Sequence, residues 1–201
     1  KKLALTDFAK YRYPSALELS PDGRYLTFAL KEVDREGDGY RWNLWLYDLE
    51  SRESRQITRG DDQRQAVWED NTHILYKTTE LDEAMRARGF EEEWTVYHRL
   101  NVCTGEECEA FRLPMSVSGL WKMDEGRYVF TGETHLDRPN LLELTGEALE
   151  KELVRRQQTK GYKVLTELPL CENGVGMFNQ TRITLFLYLE ATGEYRRITP
   201  E

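Results

Sequence analysis

Glu91, Glu92 and Glu93 stand side by side immediately before Trp94, and this row of carboxylates is the feature of the chain best suited to hold a cation. An ionised carboxylate only accepts hydrogen bonds and an ammonium offers three donors, so carboxylates facing a cavity can bind the protonated amino terminus of a peptide. The same run also fits a solvated stretch of charge at the start of a strand. A second candidate is His135 with Asp137, in Thr134-His135-Leu136-Asp137-Arg138-Pro139. That pair falls in a loop, where a histidine can exchange protons or simply keep a local hydrogen bond.

Other chemistries lack their patterns. Ser15, Ser20, Ser51, Ser54, Ser116 and Ser118 are all outside any Gly-x-Ser-x-Gly, the turn that exposes a nucleophile between strand and helix. His73, His98 and His135 share no spacing that would suggest a metal pair or a triad. Asn173-Gly174-Val175-Gly176 has neither the lysine nor the following helix of a phosphate cradle, so those glycines are read as a turn or bulge. Cys103, Cys108 and Cys171 are an odd, sparse set. Cys103 and Cys108 flank a turn and are read as free thiols, and zinc would need a second ligand pair. No catalytic residue, no cofactor and no metal ligand is assigned.

Charge and composition narrow the partners. With 28 basic against 36 acidic residues the net charge is -8, which argues against binding a phosphate backbone, so nucleic acid is not expected as a partner. Hydrophobic residues make up 39% of the chain and no apolar run approaches a membrane span, so no membrane association is expected. The few cysteines and the lack of a leader-like segment suggest a reducing, cytoplasmic setting.

The elements that must carry these residues repeat along the chain. Leu44-Trp45-Leu46-Tyr47 through Arg55-Gln56-Ile57-Thr58 matches Leu185-Phe186-Leu187-Tyr188 through Arg196-Arg197-Ile198-Thr199, and Thr104-Gly105-Glu106 repeats the turn Thr192-Gly193-Glu194. Asp22-Gly23-Arg24-Tyr25-Leu26 has its counterpart in Glu125-Gly126-Arg127-Tyr128-Val129, with Trp68 to Tyr76 as a third version. Alternating turns and strands at this period predict propeller blades, giving an all-β fold. The blades fall at 14–59, 64–113 and 117–199: three antiparallel four-stranded blades forming a partial β-propeller. Glu147 to Gln158 is rich in helix formers, which predicts one helix over about 146–160 inserted in the third blade, capped by Thr145 and stopped by Gly161. Leu149 and Leu153 give it only a narrow apolar stripe, so it is expected on the surface or reaching towards another domain. A shorter helix is expected at Asp82 to Arg88, ended by Gly89. Trp42, Trp45, Tyr47, Phe186 and Tyr188 alternate at strand period and are read as inter-blade packing. A closed propeller needs about 4 to 8 blades, so the 201 residues are expected to be one piece, 1–201, of a longer protein.

Ser20-Pro21-Asp22-Gly23-Arg24-Tyr25-Leu26-Thr27-Phe28, followed by Asn43 to Leu49 and Arg55 to Thr58, resembles a blade of the N-terminal propeller of the prolyl oligopeptidase family of serine peptidases. The run Gly161 to Pro169, then Glu172 to Gly176 and Arg182 to Tyr188, is similar to a long third-blade segment of its dipeptidyl-peptidase and acylaminoacyl-peptidase branch. The resemblance implies a propeller that gates short peptides into an α/β-hydrolase domain lying outside this sequence, with no hydrolytic activity in this chain alone. Glu91, Glu92 and Glu93 resemble in chemistry the paired glutamates of dipeptidyl peptidases. The hydrolase domain, the remaining blades and short peptides are then the expected partners. A TolB-like propeller that scaffolds proteins shares the Ser-Pro-Asp-Gly motif and is the alternative; an independent carbohydrate- or peptide-binding module is a third. Uncovered blade faces should make the chain self-associate.

Overall fold

In a computed structural model of the chain, the described residues are 4–34, 37, 39–60, 62–161, 170–172, 176–178 and 181–199. The first sheet has the strand order β1-β2-β3-β4, from Arg12–Leu19, Tyr25–Asp34, Gly39–Asp48 and Glu53–Gln56. The second runs β5-β6-β7-β8, from Ala66–Trp68, His73–Leu81, Glu93–Asn101 and Glu107–Leu113. The third contains β9 (Val117–Asp124), β10 (Arg127–His135), β13 (Thr181–Leu189) and β14 (Glu194–Arg197), in the order β14-β13-β10-β9. All three are antiparallel. Between β10 and β13 the chain inserts helix α2 (Gly146–Gln158) and a small hairpin of β11 (Leu170–Glu172) and β12 (Gly176–Phe178). A short helix, α1 (Glu83–Ala87), links β6 to β7.

The repeated residues do the same local work in each copy. In the Ser-Pro-Asp-Gly turn, Ser20 Oγ donates to Asp22 Oδ1 at 2.6 Å and accepts from the Tyr25 amide at 2.9 Å, which aims the chain into β2. Gly23 at φ +74 and Gly126 at φ +68 hold left-handed positions that a Cβ would strain, which is why both turns place glycine there. The Ile-Thr motif closes its hairpins: Ile57 donates to the Leu44 carbonyl at 2.9 Å and Ile198 to that of Leu185 at 2.8 Å. In the first copy the buried Thr58 hydroxyl also accepts from the Leu44 amide at 2.8 Å.

The chain forms two compact units. The first comprises Lys1–Thr79, Val96–Arg112 and Trp121–Arg127, and the second Glu80–Thr95, Leu113–Leu120 and Tyr128–Glu201. The core of the first joins Ala29, Leu44 and Leu46 of the first sheet to Trp68, Ile74 and Leu100 of the second. Tyr25 stacks on Trp68 across that join, with ring centroids 6.4 Å apart. Trp45, Phe186 and Tyr188 meet rings of their own sheets, Phe28, Phe130 and Tyr128, as cross-strand pairs. Trp42 sits half-buried beneath the Arg64 guanidinium at 4.1 Å, a contact from the first blade to the first residue of the second.

The second unit has its own core, in which Met85, Leu141 and Leu153 are buried with Phe90, Leu142, Leu144 and Leu149 packed around them. Helix α2 therefore builds a core, contrary to the expectation of a helix merely resting on the surface. The narrow stripe suffices because α1 and the turn at Leu141–Glu143 bring apolar partners from elsewhere in the chain. Thr145 occupies the N-cap but its side chain makes no capping hydrogen bond. Asp82 does cap α1, accepting from the Met85 amide at 2.9 Å. No helix among the described residues is long and apolar enough to cross a membrane. The runs 162–169 and 173–175, including the expected turn at Gly174, lie outside the described residues.

Candidate functional site

Within the second unit is a cavity of about 520 Å³, in the size range of small-molecule sites. The residues entering β7 supply Glu91, Glu92 and Glu93 to its wall, and the end of β10 with the loop after it supplies Glu133, His135 and Arg138. Met115, before β9, and Phe186, on β13, give it an apolar floor. The glutamate run and His135 thus come to one cavity, although Glu93 and His135 are 42 positions apart in the chain.

The three glutamates are not equivalent. Glu92 accepts from Arg156 Nη1 at 2.7 Å, and the side chains are only 21% and 11% exposed. Arg156 also donates to Glu152 Oε1 at 3.1 Å and to the Pro139 carbonyl at 2.6 Å, so one guanidinium ties α2 to the glutamate run and to the loop carrying Arg138. Arg155 and Arg156 hold the Glu152 carboxyl below the ordinary glutamate range against the opposing effect of burial. Arg88 and Glu150 add a two-pronged bond between the end of α1 and α2, at 2.8 and 2.6 Å. Glu91 and Glu93 are exposed and, among the described residues, have no ion-pair or side-chain hydrogen-bond partner. Glu143 accepts from the Tyr195 hydroxyl, whose pKa is pushed up first by burial and then by that bond.

His135 keeps local partners at both ring nitrogens: Arg138 Nη2 lies 3.1 Å from Nε2 and Thr181 Oγ1 lies 3.3 Å from Nδ1. An arginine can only donate, so Nε2 accepts and the ring is neutral. Burial and then the Arg138 charge lower its pKa from 6.5, which agrees. Ser116 lines the same cavity but makes no hydrogen bond to His135 among the described residues. Asp137, paired with His135 in the sequence reading, does not line the cavity. Elsewhere, His73 bonds Asp70 at 2.9 Å and His98 bonds Thr78 at 2.9 Å, each within its own turn or sheet. Cys103 and Cys108 are free and exposed. Among the described residues no cluster of His, Cys, Asp or Glu is arranged to hold a metal ion.

Gly132 shapes the cavity floor in a way the sequence does not reveal. A Cβ there would stand 2.5 Å from Met115 Sδ and 3.3 Å from ring carbons of Phe130 and Phe186, so any larger residue would force Met115 to shift beside the stacked Phe130 and Phe186 rings. Chemically, Glu91 and Glu93 offer the cavity carboxylate acceptors without a described partner, and Met115 and Phe186 offer it apolar surface.

No protein-family model and no curated protein matches the sequence. Solved structures do. An acylaminoacyl peptidase from Pyrococcus horikoshii is 12% identical with a TM-score of 0.63, over 95% of this chain and 26% of that one. The AtxE2 isopeptidase is 15% identical with a TM-score of 0.52, over 94% of this chain and 30% of that one. The tricorn protease is 9% identical with a TM-score of 0.52, over 92% of this chain and 18% of that one. This chain therefore spans about a quarter of the length of the first of these structures. Likeness at such identities establishes the fold, and with the three four-stranded sheets it shows a partial β-propeller with a helical insertion in its third blade.

Proposed function

We propose that the chain is the non-catalytic, substrate-gating propeller portion of a serine peptidase acting on short peptides, of the dipeptidyl or acylaminoacyl type. The observation that carries this reading is that nearly the whole chain superposes on a minor share of an acylaminoacyl peptidase, 95% against 26%. The AtxE2 isopeptidase and the tricorn protease, with the same fold, are also peptide-cleaving proteins by name.

A propeller without a nucleophile contributes sterics and charge. Its blades limit what reaches a hydrolase domain, and its carboxylates hold the amino end of what does. On this reading Glu91 and Glu93 accept hydrogen bonds from the substrate ammonium, Met115 and Phe186 contact its first side chain, and Glu92 keeps the run in place through Arg156. An ammonium moved from water into the cavity needs such acceptors to offset its lost hydration. The hydrolase domain and the remaining blades belong to the longer protein, and the sparse cysteines fit a cytoplasmic setting.

A peptidase assay of the full-length protein carrying this chain tests the reading, using aminoacyl, dipeptidyl and N-acetyl-aminoacyl chromogenic substrates with and without a serine-directed phosphonate. Cleavage abolished by the phosphonate is expected from the full-length protein and not from the 201-residue chain. No cleavage by the full-length protein contradicts it and favours the TolB-like scaffold.

A further inference from the structure

The cavity of the second unit holds uncompensated charge of both signs. Glu91, Glu93 and Glu133 have no ion-pair partner among the described residues, and Arg138 has no carboxylate partner there either. The described hydrogen bond of the Arg138 guanidinium goes to the neutral His135 ring at 3.1 Å. A guanidinium has five donors in a planar fork, and Arg138, exposed and lining the cavity, spends one of them on His135 among the described residues. Opposite charges that line one cavity without neutralising each other suit a ligand that carries both.

We infer that the cavity binds short peptides as zwitterions, with Glu91 and Glu93 taking the ammonium and Arg138 taking the free carboxylate of the same molecule. The inference rests on the peptide-binding reading of the cavity and adds the recognition of the second end. Two residues of extended chain reach about 7 Å, and a cavity of about 520 Å³ has room for a dipeptide. Arg138 suits the task because a guanidinium fork meets both oxygens of a carboxylate, which a lysine does not. His135 presents that fork, since its Nε2 accepts from Nη2 and its Nδ1 is anchored at Thr181. Arg156 does not compete for the ligand carboxylate, being occupied by Glu92, Glu152 and the Pro139 carbonyl.

The test is calorimetric titration of the 201-residue chain with alanyl-phenylalanine, its C-terminal amide and its N-acetyl form. The dipeptide should bind about tenfold more tightly than either blocked form, the worth of one charge-assisted hydrogen bond at each end. Arg138→Gln should erase the difference between acid and amide while the penalty for acetylation persists, and Leu136→Ala in the same loop should preserve both differences. Equal binding of acid and amide with the acetylation penalty intact overturns the zwitterion and leaves the amine site standing. Absence of binding by all three peptides, or binding indifferent to both blocks, overturns both.

Discussion

Arg156 Nη1 donates to Glu92 Oε1 at 2.7 Å, and this contact between residues 64 positions apart joins the inserted helix to the wall of the cavity. It divides the glutamate run into one structural carboxylate and two that face solvent. Arg156→Met would leave Glu92 and Glu152 nearly buried without their shared cation, and removing one partner of a buried pair costs about 3 kcal/mol. Urea unfolding of Arg156→Met should show a lower midpoint with an unchanged slope. Glu91→Gln and Glu93→Gln should unfold at the parental midpoint. A midpoint unmoved in Arg156→Met would show that the helix is held by its apolar face and the Arg88–Glu150 bond rather than by Arg156.

Gly132→Ala should destabilise the second unit by about 1–3 kcal/mol, the usual cost of overpacking, because the new methyl meets Met115 Sδ at 2.5 Å. Gly39→Ala is the matching control, its methyl meeting nothing closer than the Gly37 carbonyl at 3.8 Å. Thermal unfolding compares them, and equal melting temperatures would deny that Gly132 is a packing glycine.

Acid should reveal the Asp70 turn. Burial pushes this carboxyl up, but hydrogen bonds from the Thr72 and His73 amides, then from the His73 and Thr72 side chains, outweigh that and leave it at about 2. A carboxyl whose pKa is depressed by folding contributes stability that is fully present above its unfolded value of 3.8 and is lost as the pH falls through about 2. The contribution is small, since the side chain is 57% exposed. Asp70→Asn should flatten the fall in the urea midpoint between about pH 4 and 2; an unaltered pH profile would show that the turn carries no such linkage.

Self-association is expected through β1. Every residue of that strand is exposed, including Leu17 at 60%, and it lies at the edge of its sheet, where only Pro14 and a bulge between Ser15 and Glu18 oppose pairing. Edge strands with exposed apolar side chains pair with other chains. Sedimentation velocity should show mass rising with concentration, and Leu17→Lys should suppress the rise. A monomer at all concentrations would contradict it.

The strands and turns were legible because their causes are local. Tyr47 and Tyr188 announce the same strand, and Asp22-Gly23 and Glu125-Gly126 the same turn, since a left-handed backbone position favours glycine, as at Gly23 and Gly126, although Ala16 and Arg52 also hold positive φ. Helix α2 could be read from its composition, but not its partners, because Met85 and Leu141 reach Leu153 only through the fold. The cavity was half legible for the same reason. A row of glutamates and a loop histidine are visible in the sequence. That Arg156 would claim the middle glutamate, and that Gly132 would make room for Met115, depends on contacts between distant residues that no local pattern encodes.

The central claim, that this propeller portion selects peptides by their amino end through Glu91 and Glu93, is tested most directly by steady-state kinetics of the full-length protein. The measurement compares kcat/KM for a dipeptidyl p-nitroanilide with a free amino end against its N-acetyl form, in the parental protein and in Glu91→Gln/Glu93→Gln. The ratio of free to acetylated substrate should fall about tenfold in the double variant, through KM, as one charge-assisted hydrogen bond is worth. An unchanged ratio would contradict the account.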